Sequence, residues 1–188
     1  IECGNVYQVN LTQRLDVPYR GDPWELYCSL RRSNPAPFAA CIELPGVAVL
    51  SSSPERFLRV DAAGCAQSRP IKGTRPRGRG AREDAQLADE LARSSKDRAE
   101  NLMIVDLMRN DLARVADAGS VRVDEPFAIE SYPTVHQMVS VIRARLDEGR
   151  SAVDLVRALF PCGSITGAPK IRAMELIDAV ERDARGPY

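Results

Sequence analysis

The chain has no net charge: 26 lysines and arginines balance 26 aspartates and glutamates. That balance argues against a protein whose main task is binding nucleic acid by phosphate neutralisation. No apolar run approaches the roughly 20 residues that a membrane-spanning helix needs, and no signal peptide opens the sequence. The five cysteines, Cys3, Cys28, Cys41, Cys65 and Cys162, are odd in number, and no two have C-x-x-C spacing. They suit free thiols in a reducing cytoplasm rather than a disulfide frame or a zinc site, and a cytoplasmic location is the expectation. Repeats, low-complexity segments and clear linkers are lacking too. With 188 residues, 44% apolar and 28% charged, the chain reads as one globular domain with its own core. Lysine is scarce: among the basic residues only Lys72, Lys96 and Lys170 are lysines.

What is present divides into runs of strands and runs of helices. Val6 to Val17 alternates, with Tyr7, Val9, Leu11, Leu15 and Val17 on one side, which predicts a half-buried strand. Asp22-Pro23-Trp24-Glu25 starts a helix with an N-cap, a first-turn proline and a capping glutamate, ending before Asn34-Pro35. Strands follow at 38–44, 47–51, 57–60 and 65–69, with turns at Pro45-Gly46 and around Gly64. Helices are predicted over 82–92 and 96–116, the second largely buried. Strands over 121–123, 128–132 and 135–146 precede a helix capped by Ser151 and Asp154. A glycine loop at 162–168 leads into a last helix from Pro169 to about Ala184. Segregated runs favour α+β with mostly antiparallel sheet over a doubly wound fold.

Lys72 sits in Arg69-Pro70-Ile71-Lys72-Gly73-Thr74, read as a turn between a strand and an arginine-rich loop. In a chain that otherwise uses arginine, this lysine is either an ordinary turn residue or a nucleophile, because a neutral amine does what a guanidinium does not. Arg69, Arg75, Arg77 and Arg79 nearby would favour the neutral amine. Asp97 and Glu100, three apart at a helix start, either complement the helix dipole or offer oxygen ligands to a divalent cation. Glu55, after Ser53-Pro54, is a solvated loop residue or a general acid. His136, the only histidine, is a hydrogen-bonded core residue or a pocket residue. Gly163-Ser164-Ile165-Thr166-Gly167 ahead of a helix is a plain glycine loop or an anion cradle; it lacks P-loop spacing. Arg75-Pro76-Arg77-Gly78-Arg79-Gly80 reads as a solvated or substrate-side loop more than as an RNA-binding tract.

Taken in order, these stretches resemble one family. Gly4-Asn5-Val6-Tyr7-Gln8-Val9-Asn10, Ser53-Pro54-Glu55, Pro70-Ile71-Lys72-Gly73-Thr74 and the run from Asp97 to Leu107 are similar to signatures of the chorismate-utilising enzymes. So are Arg109-Asn110-Asp111-Leu112, Val135-His136-Gln137-Met138-Val139-Ser140 and Gly163-Ser164-Ile165-Thr166-Gly167-Ala168-Pro169-Lys170. Lysine at position 72 resembles the aminodeoxychorismate synthase component I branch, whereas anthranilate synthases carry alanine there.

The resemblance implies a chorismate-binding catalytic domain over residues 1–188 with an anthranilate-synthase-like fold. It makes Lys72 the nucleophile at C2 of chorismate and Glu55 the acid that helps the C4 hydroxyl leave, with ammonia then attacking C4. Asp97 and Glu100 would bind Mg2+, although the family usually has glutamate where Asp97 stands. Thr74, His136, Gly163, Ser164, Thr166, Gly167 and Tyr188 would line the substrate pocket. Gln8 stands where water-using relatives carry a base lysine, which favours ammonia. The implied partner is a glutamine amidotransferase subunit or fused domain, in p-aminobenzoate and folate or related biosynthesis; neither nucleic acid nor membrane is expected. Alternatives are anthranilate synthase component I and a non-catalytic chorismate- or nucleic-acid-binding module. Because the sequence opens on Ile1 and the family's further metal ligands would follow Tyr188, the expectation is an incomplete domain, inactive alone.

Overall fold

The computed structural model describes residues 4–186. In chain order its elements are β1 (Gln8–Val9), α1 (Pro23–Ser33), β2 (Phe38–Leu44), β3 (Val47–Ser53), β4 (Arg56–Val60), β5 (Cys65–Arg69) and β6 (Ile71–Pro76). Then come α2 (Ala81–Arg93), α3 (Ser95–Ala113), β7 (Arg122–Ser131), β8 (Val135–Arg145), α4 (Ala152–Leu159), α5 (Gly163–Thr166), β9 (Gly167–Ala168) and α6 (Lys170–Val180). The class is α+β with antiparallel sheets, as the segregation of elements predicts.

β8 is the spine. It pairs with β7 along one edge and with β5 and β6, end to end, along the other; β4 adds outside β5. The stretch around Pro70 is therefore no turn. Proline cannot donate to a ladder, but its carbonyl can accept, and Ser140 N–H donates to Pro70 O at 3.1 Å. The strand runs straight through, and its irregularity falls one residue later: register passes from Ile71↔Val139 to Thr74↔Gln137, leaving Lys72 and Gly73 opposite Met138 alone. Two residues against one is a β-bulge, a feature that re-aims side chains beside functional sites. Gly73 has φ +92, and a Cβ there would lie 2.9 Å from both Asp97 Cβ and Leu91 Cδ1. Only glycine suits that backbone and that contact.

Helix α3 lies across one face of the sheet. Ile104, Val105, Met108 and Leu112 meet Ala66, Ile142 and Ala144 from the sheet and Leu155 and Leu159 from α4 in one buried cluster. α3 is buried along a stripe only, and Leu102 is exposed. The stripe includes polar groups, each satisfied. Asn101 Nδ2 donates to Met138 O (3.2 Å) and its Oδ1 accepts from Ser140 Oγ (2.5 Å). Asp111 is paired with Lys170, whose Nζ also donates to Leu159 O (2.8 Å). Burial pushes the Asp111 carboxyl above its usual pKa despite that lysine. The segments read as separate strands at 121–123 and 128–132 are one strand, β7, with bulges near Asp124 and Phe127.

The N-terminal alternation does not produce the predicted strand. Only Gln8–Val9 pairs, with Gly167–Ala168; Asn10 to Arg20 has no regular structure, and Tyr7, Leu15 and Val17 are 75%, 76% and 79% exposed. Among the described residues no helix is long and apolar enough to cross a membrane.

Candidate active site

The β3–β4 turn, the β6 bulge and α5 converge on one place. Glu55, in the turn, accepts a hydrogen bond from Ile71 N–H through Oε2 at 3.2 Å. Its carboxyl is raised above the usual pKa, chiefly by burial; Ser164, the Ile71 N–H and the charge of Lys72 pull the other way. That opposition places Glu55 against both Lys72 and Ser164 and favours its protonated form. Ser164 Oγ is itself buried and completes no hydrogen bond of good geometry. On the other side of Lys72, Gly73 rests on Asp97 in the first turn of α3. Glu55 is thus linked to the β6 bulge and to Ser164, and the bulge in turn to the first turn of α3.

Lys72 differs from its two fellow lysines. Lys96 pairs with Glu100 at 3.8 Å and Lys170 with Asp111, while the Lys72 amine has no ion pair or hydrogen bond among the described residues. Three of the four arginines expected to crowd it are occupied elsewhere. Arg69 pairs with Glu130; Arg75 with Glu90 (2.8 Å) and Asp97 (3.1 Å); Arg77 with Asp84 (2.6 Å). A carboxylate offsets each of these three guanidinium charges, which weakens the positive field they place at Lys72.

His136 is not an open pocket residue. It is buried on the α2 side of β8, with Nδ1 2.8 Å from Ser131 Oγ and Nε2 2.9 Å from Asp84 Oδ1. Arg77, with the Gly78 N–H and His136, holds the Asp84 carboxyl far below the usual range, so it only accepts. Nε2–H therefore donates to Asp84, and Nδ1 shares a hydrogen bond with the Ser131 hydroxyl. Both nitrogens are spent pinning α2 to the sheet. Its neighbour Gln137 points to the opposite face, beside Thr74; Gln137 is buried, and Oε1 has no partner. Strand parity alone could have singled it out, since 136 and 137 must face opposite ways.

The glycine stretch is not an open loop. Gly163–Thr166 forms α5, with Ile165 and Thr166 N–H both donating to Cys162 O at 3.1 Å, and Thr166 Oγ1 donating to the same carbonyl at 3.0 Å. Gly167, at φ +143, pairs with Val9; a Cβ there would lie 2.2 Å from Gln8 O. Gly163, Ser164, Thr166 and Gly167 are buried, whereas Thr74 is exposed. Tyr188 lies outside the described residues.

For a metal, Mg2+ is commonly held by one or two carboxylates, with water and substrate oxygens completing the shell. Glu100 fits: its side chain is 40% exposed, and its ion pair among the described residues is a loose one with Lys96 at 3.8 Å. Asp97 is 13% exposed and engaged with Arg75. Among the described residues no cluster of three or more His, Cys, Asp or Glu could close around an ion.

The sequence of residues 1–188 matches the family model described as chorismate binding enzyme. The chain belongs to the chorismate-binding enzyme family. The aminodeoxychorismate synthase of Streptomyces pristinaespiralis is 56% identical over 188 residues, 100% of this chain and 26% of that protein. Aminodeoxychorismate synthase component 1 of Escherichia coli K12 is 54% identical over the same span, 41% of its length. The crystal structure of anthranilate synthase component I from Streptococcus pneumoniae TIGR4 superposes with TM-score 0.87 at 34% identity, covering 98% of this chain and 40% of that one. The chain thus spans well under half of the proteins it matches, and it has the fold of a chorismate-binding domain.

Proposed function

We propose that the protein to which this chain belongs converts chorismate and ammonia to 4-amino-4-deoxychorismate, with the reacting groups supplied here. One observation carries the reading: an unpaired amine at position 72 lies beside a carboxyl that burial keeps inclined to hold its proton. Nucleophile and acid adjoin, which a two-step displacement needs.

In this reading the Lys72 amine forms a bond to C2 of chorismate, both conjugated ring double bonds shift along the ring, and the C4–O bond breaks. The departing hydroxyl takes the Glu55 proton and leaves as water. Ammonia then bonds to C4, both double bonds shift back, the C2–N bond breaks, Lys72 leaves as the amine it was, and the proton shed by the new C4 ammonium restores the Glu55 carboxyl. Sum: chorismate plus ammonia gives aminodeoxychorismate plus water. The ring carboxylate is held at the Asp97–Glu100 end, where bound Mg2+ would offset its charge. Thr74 and Gln137 border the site from adjacent strands, and Ser164 stands beside the acid. Ammonia would come from a glutamine amidotransferase partner, since component 1 of the named relatives implies a second component.

The test is product identity. The protein at its full natural length is incubated with chorismate, Mg2+ and an ammonium salt. Aminodeoxychorismate is expected, and Lys72→Ala should abolish it. Release of 2-aminobenzoate would reassign the chain to the anthranilate branch.

A further inference from the structure

The two acidic residues at the start of α3 do different jobs. Asp97 Oδ2 accepts from Arg75 Nη2 at 3.1 Å, while its backbone N–H is fixed by the Ser94 cap at 3.2 Å. Arg75 reaches three ways: to Asp97 on α3, through Nε to Glu90 on α2 at 2.8 Å, and through Nη1 to the Thr74 carbonyl at 3.0 Å. Gly73, between Lys72 and Thr74, packs against the Asp97 side chain. The guanidinium and the carboxylate therefore bracket the bulge that carries Lys72. Glu100, one turn further along, lies outside this arrangement.

A divalent cation bound directly to Asp97 would compete with a guanidinium already on that carboxylate, and the two cations would repel at short range. Arginine stays charged at any working pH, so the competition is not relieved by deprotonation. Resting on the chorismate reading above, we infer that Asp97 is a positioning residue. Together with Arg75 it holds the β6 bulge so that Lys72 addresses the substrate, and Glu100 alone of the pair contacts Mg2+.

The experiment uses the full-length protein and two readouts. Calorimetric titration with Mg2+, in the absence of chorismate, measures metal binding. Steady-state kinetics at saturating Mg2+ measures kcat and KM. Glu100→Gln is expected to weaken Mg2+ binding at least about tenfold, in the range seen when metal-site side chains are removed. Asp97→Asn, isosteric with the native residue, is expected to leave Mg2+ binding within about threefold and to lower kcat at least about tenfold. Arg75→Gln should reproduce that kcat loss, with Arg75→Lys restoring part of it. Tenfold weaker Mg2+ binding in Asp97→Asn overturns the inference, and so does an unchanged kcat. If both acidic variants bind Mg2+ normally while Asp97→Asn loses kcat, the inference on Asp97 stands and the metal role of Glu100 falls. Absence of aminodeoxychorismate with the native protein would sink the functional reading instead.

Discussion

Two stretches of this chain carry the same sequence pattern and meet opposite fates. Val135–Leu146 and Val6–Val17 both alternate apolar and polar residues. The first is β8, hydrogen-bonded on both edges, with Met138 and Ile142 fully buried. The second is a strand for two residues and then runs irregularly with its apolar side chains in water. Alternation states a preference for two unlike faces; it does not supply the edge to pair with or the layer to cover it. β8 has α3 on one face and neighbours on both edges. The N-terminal segment has one short partner, β9.

That contrast can be broken most severely at the centre. Glu55→Gln should cut turnover by about a hundred- to ten-thousandfold, the usual worth of a positioned acid. In the native protein activity should fall as pH rises through the raised Glu55 pKa, and a pH profile of the glutamine variant should lack that limb. The same shift acts on stability. The folded state holds this proton more tightly than the unfolded chain, so the contribution is complete below the ordinary value of 4.5 and fades as pH rises through the folded value.

Next in size is the spine itself. Met138→Ala removes a fully buried side chain, and a loss of about 2–5 kcal/mol is expected from denaturant unfolding. At the margin, Glu181 links the N-terminal segment to the end of the chain by accepting from Thr12 N (2.8 Å) and pairing with Arg185 (2.5 Å). Arg185, first, then Thr12, lower the Glu181 pKa to about 2. Its stabilisation is therefore present above the ordinary 4.5 and lost as pH falls toward 2; Glu181→Gln should flatten acid unfolding in that window. Smallest of all, Leu15→Ala should change stability by no more than about 0.5 kcal/mol. An effect as large as that of Met138→Ala would show that the segment is packed in solution and would erase the contrast.

The family was legible before any fold was known, because the residues of the candidate site stand in signature order. The strand at Cys65–Arg69 and the capped helices starting near Asp22 and Ser151 were readable for a local reason. Caps and turns satisfy backbone groups within a few residues, and all three occur where read. What local reading missed was decided at distance. Pro70 and Gly73 look like turn residues, yet β5 and β6 run end to end along β8, with the Pro70 carbonyl accepting from Ser140 N–H and Gly73 in the β6 bulge. His136 looks like a pocket residue until Asp84, 52 positions earlier, takes its second nitrogen. The arginines around Lys72 look like a positive cluster until four carboxylates from other elements pair with three of them.

By itself, then, the sequence determined the fold class, the family and most of the capped helices, since these depend on side-chain chemistry and on contacts a few residues long, and it named the candidate groups. Tertiary structure alone decided which of those groups are free. A charge or a ring nitrogen is available only if no remote partner has claimed it, and the partners of Arg75, Asp97 and His136 were brought to them by the pairing of strands and the seating of α2 and α3 on the sheet.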